Sequence, residues 1–187
     1  MLELGTEAPP FSLPDVVSGK MISPSTFDSG APLLVMFICR HCPYVKHVQD
    51  ELARLGAAYQ RRGVGIVAIS SNDASTHPED APDSLKAMAQ ELGYTFPVCY
   101  DESQAVAKAY AAACTPDFFV FDQSRRLAYR GQLDDSRPKS DKPVTGSDLR
   151  AALDAVLATR TPPADQKPSM GCNIKWKRGN EPQYFHA

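Results

Sequence analysis

The 187-residue chain lacks a surplus of either charge, with 20 Lys and Arg against 22 Asp and Glu and a net charge of −2. So even a balance offers no basic field for a nucleic-acid backbone. Long hydrophobic runs are missing too: the longest, around Leu33 to Cys39, falls far short of the ~20 residues that cross a bilayer. The first residues, MLELGTEAPPFSLPD, carry no basic n-region and no apolar h-region, so no secretory signal is expected and a cytoplasmic location is. Cysteines are few and odd in number, at Cys39, Cys42, Cys99, Cys114 and Cys172. That count argues against a disulfide framework and for a reducing compartment with a catalytic pair. There is no second Cys-x-x-Cys and no His pair at ligand spacing, and His47 alone does not complete a structural zinc set, so no metal is expected. No internal repeat is visible. Nucleic acid, membrane and cofactor are therefore absent from the expected partners.

What is there centres on Leu33 to His47, LLVMFICRHCPYVKH. The run Leu33 to Ile38 reads as a strand buried on both faces, and it empties into Cys39-Arg40-His41-Cys42. Val45, Val48, Leu52 and Leu55 then recur at helical spacing against Lys46, Asp50, Glu51 and Arg54, placing the cysteines near a helix N-terminus. Unpaired N–H groups and the helix dipole favour a thiolate there, Arg40 and His41 add positive charge, and Pro43 suits the first turn. A redox-active Cys39/Cys42 pair is the expected chemistry. Structural zinc or inert buried thiols are the bland alternatives.

The remaining elements predict an α/β domain over 1–160. Gly5 to Lys20 suggests a short hairpin turning at Ser18-Gly19 and laid on the main sheet. Gly63 to Ser70 is a second buried strand, Pro82 to about Leu92 a helix, Phe96 to Tyr100 a short strand, and Gln104 to Tyr110 a short helix after Ser103. Phe118–Asp122 and Leu127–Arg130 lie close enough in the chain to pair antiparallel, which makes the sheet mixed. Ser147 reads as the cap of a last helix reaching about Ala158. Residues 161–187 form a proline-rich C-terminal tail that is either disordered or packs Trp176, Tyr184 and Phe185 on the domain.

A second informative step is Cys114-Thr115-Pro116, directly before the strand from Asp117. With the strand, Cys-x-x-Cys and helix unit upstream, it resembles the Thr-Pro step of thioredoxin-like proteins, in which the proline is cis and faces the disulfide. The chain as a whole, over about residues 4 to 158, resembles the peroxiredoxin-like branch of the thioredoxin-fold superfamily, the alkyl hydroperoxide reductase and thiol-specific antioxidant group. The resemblance rests on Gly5-Thr6-x-Ala8-Pro9-x-Phe11-x-Leu13, Cys39-x-x-Cys42-Pro43, Tyr100-Asp101 with Gln104 and Ala107, and Thr115 to Asp122. Uncharacterised bacterial relatives share Cys-x-His-Cys-Pro-Tyr and a segment like Gly131-Gln132-Leu133-Asp134-Asp135.

The resemblance implies a thioredoxin-like fold, a central mixed β-sheet flanked by helices with an N-terminal hairpin extension. It implies Thr115 and Pro116 as a substrate-binding edge. Thioredoxin and peroxiredoxin overlays nominate Cys42 as the nucleophile, whereas the Cys-Pro-His-Cys register of oxidants nominates Cys39. Met36 stands where thioredoxin has a buried acidic residue, and Thr115-Pro116 stands where peroxiredoxins have an arginine. The expected activity is thiol–disulfide exchange through Cys39 and Cys42, with Arg40 and His41 tuning the pair. Protein or small-molecule disulfides and thiols are the expected partners, and Cys114 and Cys172 are candidate further redox residues. A thiol peroxidase acting on hydroperoxides through Cys42 and a non-catalytic binding module or metal chaperone are the alternatives.

Overall fold

The computed structural model describes residues 2–185, so Met1 and the last two residues of the tail, His186 and Ala187, lie outside the described residues. Among the described residues nine strands and four α-helices follow in chain order: β1 Leu13–Pro14, β2 Met21–Ile22, β3 Leu33–Phe37, α1 Pro43–Gln60, β4 Gly65–Ser70, α2 Pro82–Glu91, β5 Val98–Tyr100, α3 Ala105–Ala109, β6 Cys114–Thr115, β7 Asp117–Phe121, β8 Leu127–Gly131, α4 Ser147–Leu157 and β9 Cys172–Asn173. Five of these strands form one sheet in the order β5-β4-β3-β7-β8. β3 runs parallel to β4 and antiparallel to β7, and β7 and β8 make the expected hairpin, so the sheet is mixed.

The apolar run of β3 stands at the centre because it has two faces to bury. Leu34, Met36 and Ile38 join the side chains of α1, α2 and α4 in one core, while Leu33, Val35 and Phe37 join α3, Tyr110 and the N-terminal hairpin in the other. Alternate residues of a strand point to opposite faces, so one uninterrupted apolar run supplies both layers. The hairpin pairs Leu13 with Ile22, and Asp15 bridges to Cys99 at the β5 edge. This is a thioredoxin-like α/β fold.

Two caps differ from expectation. Gly146, in the left-handed region at φ 67°, holds the N-cap of α4, and Ser147 is its first helical residue. The Leu133 carbonyl accepts from the first-turn N–H groups of Asp148 and Leu149 at 3.2 Å, where the serine was expected to act, while the Asp134 carboxylate holds the preceding turn by accepting from Gly146 at 2.6 Å and Thr145 at 2.7 Å. Likewise α3 starts after Gln104, at φ 61°, and the Asp101 carboxylate receives the N–H groups of Val106 and Ala107.

The described part of the tail lies along the domain. β9 pairs antiparallel with β6, Ile174 is buried and Trp176 packs against the second core. No helix among the described residues is long and apolar enough to cross a membrane.

Candidate active site

β3 ends at Phe37 and α1 begins at Pro43, leaving Cys39 to Cys42 as the junction, with Cys42 at the helix N-cap. Proline is tolerated at the first helical position because that N–H has no partner within the helix. Facing this junction is the Thr115–Pro116 peptide bond, which is cis. The Cys42 thiol reaches the Thr115 carbonyl at 3.2 Å, and Cys39 Sγ lies 3.2 Å from the Thr115 hydroxyl. Thr115 thus touches both sulfurs.

The two sulfurs are driven apart in acidity. A hydrogen bond from Cys39 holds Cys42 well below the ordinary thiol range; burial opposes this, while the Cys172 thiol and the N–H groups of Val45 and Cys172 add to it. Cys39 is pushed up, first by that same hydrogen bond, then by burial and by the charge of Asp80, with the Thr115 hydroxyl acting against. The pair titrates together, and the donors that converge on Cys42 favour the anion there.

The junction is held from behind by a residue to which the sequence offered no pointer. Asp80, fully buried, accepts from the N–H groups of Arg40 at 2.8 Å and His41 at 3.1 Å through one oxygen. Its other oxygen meets Asn72 Nδ2 at 2.7 Å and His41 Nδ1 at 2.5 Å. A carboxylate with this many donors replaces its lost hydration, each such bond contributing about 1.5–3 kcal/mol. His41 also packs on His77, with ring centroids 4.8 Å apart.

The Arg40 guanidinium is held on α2, donating to the Ser84 carbonyl at 2.6 Å and pairing with Glu91 at 3.0 Å. Cys39, His41 and Asp80 place one ligand atom each within 4.8 Å of one another. Both Asp80 oxygens already accept two donors, so a metal would have to displace the bonds that shape the loop. Cys114 is buried and pushed up by that burial, its thiol directed at the Pro116 carbonyl at 3.8 Å. Cys172, on β9, pairs with Thr115 and packs against the core that holds Cys39 and Cys42. The segment Gly131 to Asp135 serves the neighbouring loop: Gln132 donates to Asp135 and Asp148, and Asp135 pairs with Lys167.

A family model for the AhpC/TSA family matches residues 4–130. The chain belongs to the AhpC/TSA family. Two crystal structures resemble it throughout: an uncharacterised conserved protein from Geobacillus kaustophilus, 57% identical over 95% of this chain and 94% of that one with a TM-score of 0.92, and a hypothetical protein from Sinorhizobium meliloti, 48% identical over 95% and 96% with a TM-score of 0.92. A thiol:disulfide interchange protein of the thioredoxin family from Chlorobium tepidum shares the fold, at 20% identity over 84% of this chain and 99% of that one with a TM-score of 0.64. No curated protein matches the chain. Membership covers the stretch from the N-terminal segment to β8 and includes both the cysteine junction and the cis-proline, while β9 lies beyond it.

Proposed function

We propose that this AhpC/TSA-family protein is a thiol–disulfide oxidoreductase in which Cys42 attacks and Cys39 resolves. The observation that carries the reading is the position of Cys42: N-cap of α1, beside cis-Pro116, with its sulfur and that of Cys39 both in contact with Thr115. The Cys42 thiolate attacks one sulfur of a disulfide, forming a mixed disulfide and expelling the other sulfur as a thiolate. Cys39 gives up its proton and attacks Cys42, so the Cys39–Cys42 bond forms as the mixed disulfide breaks. The substrate leaves as a dithiol and the protein as a disulfide. Asp80 and His41, whose polar atoms lie within 4.8 Å of the Cys39 sulfur, are placed to receive that proton in place of the acidic residue that Met36 displaces. Thiols and disulfides are the substrate class this chemistry requires.

Insulin reduction with dithiothreitol as donor tests the reading: the parental protein should accelerate it, and Cys42→Ser should not. A thiol peroxidase is the second reading, favoured by the family. Against it, Thr115-Pro116 occupies the place of the peroxiredoxin arginine and Arg40 is committed to Ser84 and Glu91. Consumption of hydrogen peroxide faster than insulin reduction would decide for it.

A further inference from the structure

Residues 167–175 cross the candidate site as a strap secured on both sides of Cys172. On the upstream side the Lys167 carbonyl accepts from Gln132 N–H at 3.0 Å and the Ser169 hydroxyl donates to the Gly131 carbonyl at 2.6 Å. On the downstream side Ile174 N–H donates to the Ala113 carbonyl at 3.2 Å, Lys175 N–H donates to Asn72 Oδ1 at 2.8 Å, and the Lys175 carbonyl accepts from Gln104 Nε2 at 2.9 Å. Between these anchors Cys172 pairs with Thr115. Gly171 sits so close to Thr115 that a Cβ there would lie 2.0 Å from the Thr115 carbonyl oxygen. That oxygen is the one the Cys42 thiol reaches. The chain's own strand therefore occupies the edge, just before cis-Pro116, at which an extended substrate strand would add, and it brings a sulfur with it.

Burial separates the three sulfurs. Cys39 and Cys42 are both 0% exposed, whereas Cys172 is partly exposed. Of these three sulfurs, Cys172 is the one with surface open to an external dithiol. We propose that Cys172 is a relay thiol, which exchanges with Cys42 and carries the disulfide bond between the buried pair and an external dithiol. The proposal rests on reading Cys39 and Cys42 as the exchanging pair. In the oxidised protein Cys172 loses its proton and attacks Cys42. The Cys42–Cys172 bond forms, the Cys39–Cys42 bond breaks, and Cys39 leaves as a thiolate that takes up a proton, with no net change in oxidation state. One sulfur of an external dithiol then attacks Cys172 and expels the Cys42 thiolate. The second external sulfur attacks the first, releasing Cys172 as a thiol. The dithiol loses two electrons, which the protein gains. Burial, then the neighbouring Cys42, pushes the Cys172 thiol up to about 11 in the reduced protein; the share due to Cys42 disappears once Cys42 is tied in a disulfide.

The full chain serves for the test. In Cys39→Ser, one equivalent of diamide followed by alkylation and peptide mapping should recover Cys42–Cys172 as the dominant link. Adding Gly171→Ala keeps the thiol but displaces the strap, and should lower the yield of that link. Cys172→Ser should still form Cys39–Cys42, and dithiothreitol should reduce that bond about tenfold more slowly than in the parental protein. Absence of the Cys42–Cys172 link, a yield unmoved by Gly171→Ala, or reduction of Cys172→Ser at the parental rate or faster would each overturn the relay while leaving the pair intact. A parental protein that never forms Cys39–Cys42 would overturn the reading of the pair, and the relay with it.

Discussion

Cys42 and Cys99 are equally hidden, each 0% exposed, yet their thiols are driven in opposite directions. Cys42 lies below the ordinary range because the Cys39 thiol, the Cys172 thiol and backbone N–H groups converge on it, and these outweigh burial. Cys99, within β5 among the side chains of the second core, meets no such donors: burial pushes it up to about 12, with the charge of Asp15 acting in the same sense. Desolvation alone raises a thiol. The contrast shows that converging donors, rather than concealment from water, separate the proposed nucleophile from a small core side chain.

The largest expected effect breaks the comparison at its chemical end. Cys42→Ser should lower insulin reduction by about three orders of magnitude or more, and Cys99→Ala should leave the rate within about twofold of parental. Equal losses in the two variants would place the chemistry elsewhere. Next comes the scaffold of the reactive thiol. Asp80→Ala orphans the N–H groups of Arg40 and His41, the Asn72 amide and the His41 ring, and should cost about 3–5 kcal/mol in urea unfolding. Asp80→Asn keeps the shape and should cost about 1–3 kcal/mol. The Cys99 site, with no such scaffold, should lose only about 1 kcal/mol or so on truncation to Ala.

A subtler difference lies in pH. The folded-state depression of Cys42 contributes stability that is present above the unfolded thiol pKa of about 8.5 and is lost as pH falls through the folded value. Cys99 behaves inversely: its contribution is whole below about 8.5 and falls away as pH rises toward about 12. Thiolate absorbance of the reduced protein should accordingly show one group titrating below 8.5, lost in Cys42→Ser. Iodoacetamide should label Cys42 in preference to Cys99 in the native protein, and equal labelling would erase the distinction.

Much of this arrangement was legible because it is local. The run Leu33 to Ile38, the helical spacing of Val45, Val48, Leu52 and Leu55, and the short step between β7 and β8 each declare an element within a few residues. The Thr115–Pro116 step was legible through resemblance, since an arbitrary X-Pro bond is cis only about 5–6% of the time. What holds the site was not legible. Asp80 lies in a polar loop far along the chain from the cysteines, and nothing in Pro78-Glu79-Asp80 distinguishes its buried carboxylate from the exposed one beside it. The α4 cap misled for the same reason: Ser147 has the right chemistry at the expected position, but the Leu133 carbonyl reaches the first-turn N–H groups of Asp148 and Leu149 from across a loop. Hydrogen bonds between distant segments leave no period to count.

The strand edges carry a consequence for how the molecule comes into being. Residues 5–8 cover the start of β8, with Gly5 N–H donating to the Leu127 carbonyl at 2.8 Å and Ala8 N–H to the Arg125 carbonyl at 2.9 Å, and Asp15 with Val16 covers β5, Val16 N–H donating to the Val98 carbonyl at 2.8 Å. Those covers are synthesised before the strands they protect. The edge at Cys114–Thr115 is different, because its cover, Cys172–Asn173, is made after it. During translation the β5 edge and the start of β8 can close as soon as they emerge, while the strand beside Cys39 and Cys42 stays open until residue 173 has left the ribosome. An open edge is a template for another chain. A nascent polypeptide stalled before residue 172 should thus be the form most prone to intermolecular pairing, at the very place where its sulfurs lie.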